Sequence, residues 1–185
     1  MAKKEKKKSL RDPAQLELID QESGLLQVVV ETPAGSRNKF SFDPVQEVFH
    51  IKSVLPAGMV FPYDFGFIPQ TKADDGDPID VLVLMDEPAY PGVVVKARLI
   101  GVIEGEQKEG KKTVRNDRLV AVSGVSHKYA RVRRFKDLPG KWLDELEKFF
   151  VNYAGQQGKN FRCLGTKGAE EALALIQRAR TNANR

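Results

Sequence analysis

The chain of 185 residues has one cysteine, Cys163, so no disulfide forms within it, and a reducing compartment suits it. Long apolar runs are missing as well. Val28-Val29-Val30 and Val81 to Leu84 are strand-sized, which excludes a membrane-spanning helix. No apolar segment follows the basic N-terminus, so that end does not read as a secretory signal. Together these absences imply a cytoplasmic protein. No internal repeat is visible. Charge is nearly balanced once the tail is set aside: of the net +5, Lys3, Lys4, Lys6, Lys7 and Lys8 against Glu5 supply +4. The near-neutral body is not built to coat itself with nucleic acid. Residues 1–14 read as a disordered, solubilising arm, with weak attraction to polyanions as a lesser use. The length fits a single domain, residues 15–185, large enough to bury a core without staples.

What is present divides by period. Leu26 to Glu31 is β-branched, Lys39 to Asp43 alternates polar and apolar, and Val48 to Ile51 follows a turn at Asp43-Pro44. Further strands are expected at Val81 to Met85, Gly92 to Ile103 and Leu119 to Val122, with a charged hairpin from Glu104 to Asp117 whose tip is Gly110. A succession of short strands predicts a small barrel. The C-terminal third changes to helical spacing: Leu143, Leu146, Phe149, Phe150 and Tyr153 recur on one face, then Ala172, Leu173, Ile176 and Ala179. The class is α+β, a β-barrel with C-terminal helices packed outside it. His127 is expected in a surface loop, and Cys163 as a small buried hydrophobe.

The densest chemistry lies in Asp74-Asp75-Gly76-Asp77-Pro78-Ile79-Asp80, directly before the apolar strand. Like charges raise one another's pKa and desolvation adds to the cost, so a fold that gathers these side chains needs a cation among them. Hard oxygen donors select Mg²⁺, Mn²⁺ or Ca²⁺. In an extended segment Asp75 and Asp77 share a face and Asp80 has the opposite parity; Gly76 and Pro78 supply the bend that brings all three into one pocket. An EF-hand does not fit, since with Asp75 as first position Ile79 falls on an oxygen-ligand position and Asp80 on the turn glycine. Taken alone, the segment also reads as a solvated acidic turn.

The whole string is more specific. Asp75-Gly76-Asp77-Pro78-Ile79-Asp80-Val81 resembles the D-x-D-P-hydrophobic-D-hydrophobic signature of the soluble family I inorganic pyrophosphatases. Phe61 to Ile68 resembles the family's Y-P-x-N-Y-G-Y-I segment, Val30-Glu31-Thr32-Pro33 its I-E-I-P strand, Arg118 to Val122 its K-L-V-A-V strand, and Phe149 to Tyr153 its F-F-x-x-Y helix. The resemblance runs from about Leu26 to about Tyr153 in the family's order. It implies an OB-like five-stranded barrel, a homo-oligomer that is hexameric in bacterial members, and Mg²⁺-dependent hydrolysis of pyrophosphate with several ions per site, Mn²⁺ being a substitute. It further implies Asp75 and Asp80 as metal ligands flanking the attacking water, Asp77 as metal ligand and catalytic group that orients or deprotonates it, and Glu31 and Asn116 at further metal positions. Lys39, Lys52, Arg118 and Tyr153 would hold the substrate's phosphates. Singly, Glu31 reads as a strand residue, the two lysines as solvated partners of acids, and Tyr153 as a core residue with a wet hydroxyl; their joint order favours the site.

The chain departs from the family at the rim. Asn116 stands where the D-x-K pattern has aspartate, and the neighbouring Asp117 has the wrong strand parity to replace it. Phe61 and Phe65 lack hydroxyls, Ser41 replaces a carboxylate, Ala154 replaces a lysine, and Glu104, Glu106 and Glu109 compete for one hairpin carboxylate position. Alternative readings are therefore a paralogue acting on tripolyphosphate or an organic diphosphate, a metal-binding scaffold without activity, and an OB-like nucleic-acid-binding module, although an interior aspartate cluster repels a nucleic-acid backbone.

Overall fold

The computed structural model describes residues 12–74 and 76–183; Asp75 and the tail of residues 1–11 lie outside the described residues. A 3-10 turn at Pro13–Gln15 precedes β1 (Leu26–Thr32), β2 (Asn38–Asp43), β3 (Val48–Val54), β4 (Asp64–Phe67), β5 (Asp80–Leu84), β6 (Val94–Glu109), β7 (Lys112–Arg115) and β8 (Arg118–Ser123). Then follow α1 (Trp142–Gly155), β9 (Asn160–Lys167) and α2 (Ala169–Ala183). Pairing runs β1-β4-β5-β8-β6, and β6 pairs back onto β1, so five strands close into a ring. Every pairing in the ring is antiparallel except β5 with β8. β7 and β9 extend the long β6 past the ring, and β2 with β3 forms a separate hairpin. The fold is α+β, with the barrel and helices expected from the strand-then-helix pattern.

Two strands were not anticipated, β4 and β9. Otherwise the β-branched and alternating segments form strands where their period predicts them, and the hairpin turns at Gly110, whose positive φ of 58° suits a residue without Cβ. His127 is exposed in the loop after β8, and Cys163 is half-buried on β9 rather than fully enclosed.

Alternation along the strands divides the apolar residues into two bodies. Val28, Val30, Val81, Val83, Leu119 and Ala121 pack with Ala172, Ile176 and Ala179 of α2. Leu82, Leu84, Val120 and Val122 point to the other side and pack with Trp142, Leu146, Phe150 and Ala154, which repeat every fourth residue of α1. Both faces of β5 and β8 are thus buried, which is why they read as unbroken apolar runs. Gly66 lets β4 approach β1, because a Cβ there would collide with the Val29 carbonyl.

Asp64 fastens the segment before the acidic loop. It is 1% exposed, and its two carboxylate oxygens accept from the backbone N–H of Ala34 at 2.7 Å and of Ala89 at 2.8 Å. Burial pushes its carboxyl above the ordinary value, outweighing the two hydrogen bonds that favour the charge. The native state therefore holds this proton more tightly than the unfolded chain, so Asp64 contributes stability at acid pH that is lost as pH rises through 3.8 and beyond to the native value. Chemical denaturation of wild type and Asp64→Asn across pH 3.5–7 checks this: the stability of wild type relative to the variant should fall with rising pH and then level off. A difference that grows with pH would contradict it.

Candidate active site

One face of the ring, the side covered by α1, collects the polar residues. On β4 and β5, Phe67 pairs with Asp80 and Phe65 with Leu82, and Phe65 and Leu82 belong to the α1-side core. Asp80 therefore projects toward α1. The parallel register of β5 and β8, Val81 beside Leu119, places Arg118 next to Asp80, with Asn116 two residues upstream on the same parity. On β1, Val28 and Val30 face the other core, which leaves Glu31 on the α1 side.

The phenol of Tyr153 lies within the electrostatic influence of several of these side chains. Its pKa is raised, first by burial and then by the charges of Asp80 and Glu31, while a hydrogen bond with Gln157 and the charge of Arg118 act the other way. The ring is fixed against Phe149 at 5.9 Å and edge-on to Phe61 at 5.5 Å. A fold that brings Asp80, Glu31 and Arg118 into electrostatic reach of one hydroxyl has assembled residues separated by more than a hundred positions.

Lys39 and Glu31 form a buried pair. The ammonium lies 3.3 Å from Glu31 Oε2, both side chains being 10% exposed, while Glu31 Oε1 accepts from Ser41 Oγ at 3.2 Å and from the Phe42 N–H at 2.8 Å. The ammonium also sits 4.1 Å from the centre of the Phe65 ring and 5.9 Å from that of Phe61. Phenylalanine keeps the π-face that attracts a cation although it lacks a hydroxyl. Lys52, by contrast, is exposed on β3, the extra residue of a bulge between Ile51 and Ser53. Arg118 is buried, its guanidinium 4.0 Å from the Phe150 ring and 4.8 Å from Phe161, with Nη1 donating to the Asn116 carbonyl at 3.1 Å.

Asp77 is exposed at the mouth, and Asp75 lies outside the described residues. Among the described residues no three carboxylate, histidine or cysteine side chains are grouped so as to hold a metal ion; the carboxylate oxygens of Glu31, Asp77 and Asp80 are hard donors of the type a divalent cation such as Mg²⁺ takes. Beside them a cleft of about 550 Å³ opens between the start of β5, the β7–β8 turn and α2, with Lys72, Asp80, Asn116 and Arg178 in its lining.

The hairpin resolves differently from its sequence. Glu104 pairs with Arg115 at 3.1 Å, Glu106 with Arg162 at 2.9 Å and Glu109 with Lys159 at 3.2 Å. Asp117 accepts from the Gly105 N–H at 2.9 Å and is held by Arg115 at 2.8 Å. The residue that meets the Asn116 amide is Gln107, whose Oε1 accepts from Asn116 Nδ2 at 3.2 Å. Sequence reasoning missed Gln107 because it sought a carboxylate; the strand parity shared by Gly105 and Gln107 was the available signal.

The small closed barrel carries the carboxylates of Glu31 and Asp80 and the cations of Lys39 and Arg118 on its helix-covered face, a pairing of charges that suits a hydrolase of anionic substrates. The chain belongs to the inorganic pyrophosphatase family, whose model matches residues 28–184. It is 40% identical over 155 residues to an inorganic pyrophosphatase of Synechocystis, covering 84% of this chain and 89% of the relative, and 35% identical over 158 residues to one of Halalkalibacterium halodurans, covering 84% and 93%. The crystal structure of inorganic pyrophosphatase from Thermus thermophilus superposes with a TM-score of 0.84 at 29% identity, covering 95% of this chain and all of that one.

The Glu31–Lys39 pair carries a stability prediction. Removing one partner strands the other charge in a buried setting, so Glu31→Ala should lower the unfolding free energy by about 3 kcal/mol, and the double variant Glu31→Ala/Lys39→Met should regain part of it. Urea denaturation of wild type and the two variants checks this; a Glu31→Ala loss below about 1 kcal/mol would mean that the pair is solvated.

Proposed function

We infer that this protein hydrolyses inorganic pyrophosphate to two phosphates, with Mg²⁺ as its natural cation and Mn²⁺ as a substitute. The observation that supports this reading is the β5–β8 register that sets Asp80 beside Arg118, on the same side of the ring as the buried Glu31–Lys39 pair, with Tyr153 within reach of the charges of Asp80, Arg118 and Glu31. A divalent ion held by Asp75, Asp77, Asp80 and Glu31 would screen the phosphoanhydride's charge and acidify a water molecule.

The chain's own residues supply the rest. Asp77, open to solvent at the mouth, orients the attacking water and takes its proton. Arg118 presents a guanidinium whose plane is set by Phe150, so its donors are aimed before the substrate arrives. Lys39, held on the Phe65 ring, contributes a point charge, and Lys52, exposed on β3, would add a second when substrate draws it in. Tyr153, with its pKa raised, stays protonated at neutral pH and donates to a phosphoryl oxygen. We place the protein in the cytoplasm as a homo-oligomer, six copies by resemblance; the exposed Val48, Ile51 and Val54 of β3 offer apolar surface for that assembly.

Phosphate release from pyrophosphate, tripolyphosphate and a nucleoside diphosphate tests the reading. Pyrophosphate should be the preferred substrate, and excess EDTA should abolish turnover. Asp77→Asn and Asp80→Asn should each lower kcat by about two orders of magnitude or more with the thermal midpoint little changed. Preference for tripolyphosphate, or full activity in EDTA, would overturn it.

A further inference from the structure

We propose that the Asn116–Gln107 amide pair makes the β6–β8 end of the site a neutral wall that holds no divalent cation, so that metal ions bind at the end where Glu31, Asp77 and Asp80 lie. This rests on the reading of the site as metal-dependent, and it moves Asn116 from the metal shell to which the family resemblance assigned it.

Three observations lead there. First, the Asn116 side chain spends a donor on Gln107 Oε1 at 3.2 Å, and its backbone N–H is fixed on the Gly105 carbonyl at 2.9 Å. Gly105 has no room for a Cβ, which would strike the Phe161 ring of β9 and come within 3.0 Å of the Asn116 carbonyl, so the backbone of β6 lies close to Asn116 at this point. Secondly, the nearby carboxylates are engaged elsewhere: Glu104 and Asp117 by Arg115, Glu106 by Arg162, and Glu109 by Lys159. Glu104 and Glu106 also have the opposite strand parity from Gln107, so on a regular strand they project away from it. Thirdly, a guanidinium adjoins the amide pair, since Arg118 donates to the Asn116 carbonyl at 3.1 Å, while the carboxylate beside that guanidinium, Asp80, lies across the register on β5. An amide oxygen can coordinate a hard cation but offsets none of its charge, and a guanidinium beside it repels that cation.

The wall is nevertheless a latent site. Carboxylates at both positions would lie within contact distance, and two like charges so placed either share a proton or recruit a cation. Neutral amides at 107 and 116 thus set how many ions the empty enzyme loads, and they leave this end for direct contact between Arg118 and an anion.

Counting Mn²⁺ on the full-length protein without substrate tests this, by equilibrium dialysis with electron paramagnetic resonance of the free ion. Asn116→Ala/Gln107→Ala should bind as many ions as wild type, with dissociation constants within twofold. Asn116→Asp/Gln107→Glu should bind one more ion per chain, and Asn116→Asp alone should tighten the weakest ion at least threefold. Loss of an ion, or tenfold weakening, in the alanine pair would show that the amides are ligands and overturn the proposal. So would an unchanged ion count and unchanged affinities in both carboxylate variants, with circular dichroism showing them folded. Asp80→Asn in the same assay separates the two levels of inference: if it binds Mn²⁺ like wild type, the site reading fails, independently of the wall.

Discussion

The site depends on β1 pairing with two strands at once. Its first half, Leu26–Val29, bonds to Val94–Ala97 of β6, and its second half bonds to β4, with a register shift between Val30 and Thr32. Only this handover closes the ring, because β6 and β4 are otherwise joined the long way round through β8 and β5. Closure fixes the distance from Glu31, at the end of β1, to Asp80, at the start of β5. Pairing of this kind is non-local, and such contacts carry a larger loop-closure cost than hairpins do, so the candidate site is complete only when the ring is.

The hairpin of β2 and β3 then attaches to that frame through electrostatics more than through sheet pairing. Glu31 binds two donors of β2, the Ser41 hydroxyl and the Phe42 N–H, as well as the Lys39 ammonium. Serine at 41 and phenylalanines at 61 and 65 looked like losses in the sequence. In three dimensions Ser41 serves Glu31, and the two rings seat Lys39. Each substituted residue keeps a physical task, although a different one from hydroxyl or carboxylate chemistry.

Most strands were legible because β-branched runs and alternation report burial directly. β4 was not, since all four of its residues are buried and Gly66 interrupts its side chains, leaving no period to detect. β9 was not, because Asn160-Phe161-Arg162-Cys163 alternates only briefly before Leu164 and Gly165 break the pattern, and its pairing with β6 is set by distant register. In the candidate site, Asp80, Glu31, Arg118 and Tyr153 were visible through a long motif with fixed order. Gln107 was invisible for the opposite reason: its meaning comes wholly from facing Asn116 across a hairpin, and an uncharged side chain on a charged strand gives no signal of its own.

The extension of β6 beyond the ring has a consequence for the company this protein keeps. Two edge strands result, β7 and β9, and each would accept another chain along its open hydrogen-bonding side. Each carries an exposed lysine, Lys112 on one and Lys167 on the other, beside arginines already paired with carboxylates, so two copies approaching edge to edge bring lysine charge toward the open backbone. The exposed strand β3 carries one such cation, Lys52, among the outward apolar residues Val48, Ile51 and Val54. The fold thereby sorts its own surfaces, discouraging fibre-like contact at the flanks of the barrel while leaving the hairpin approachable.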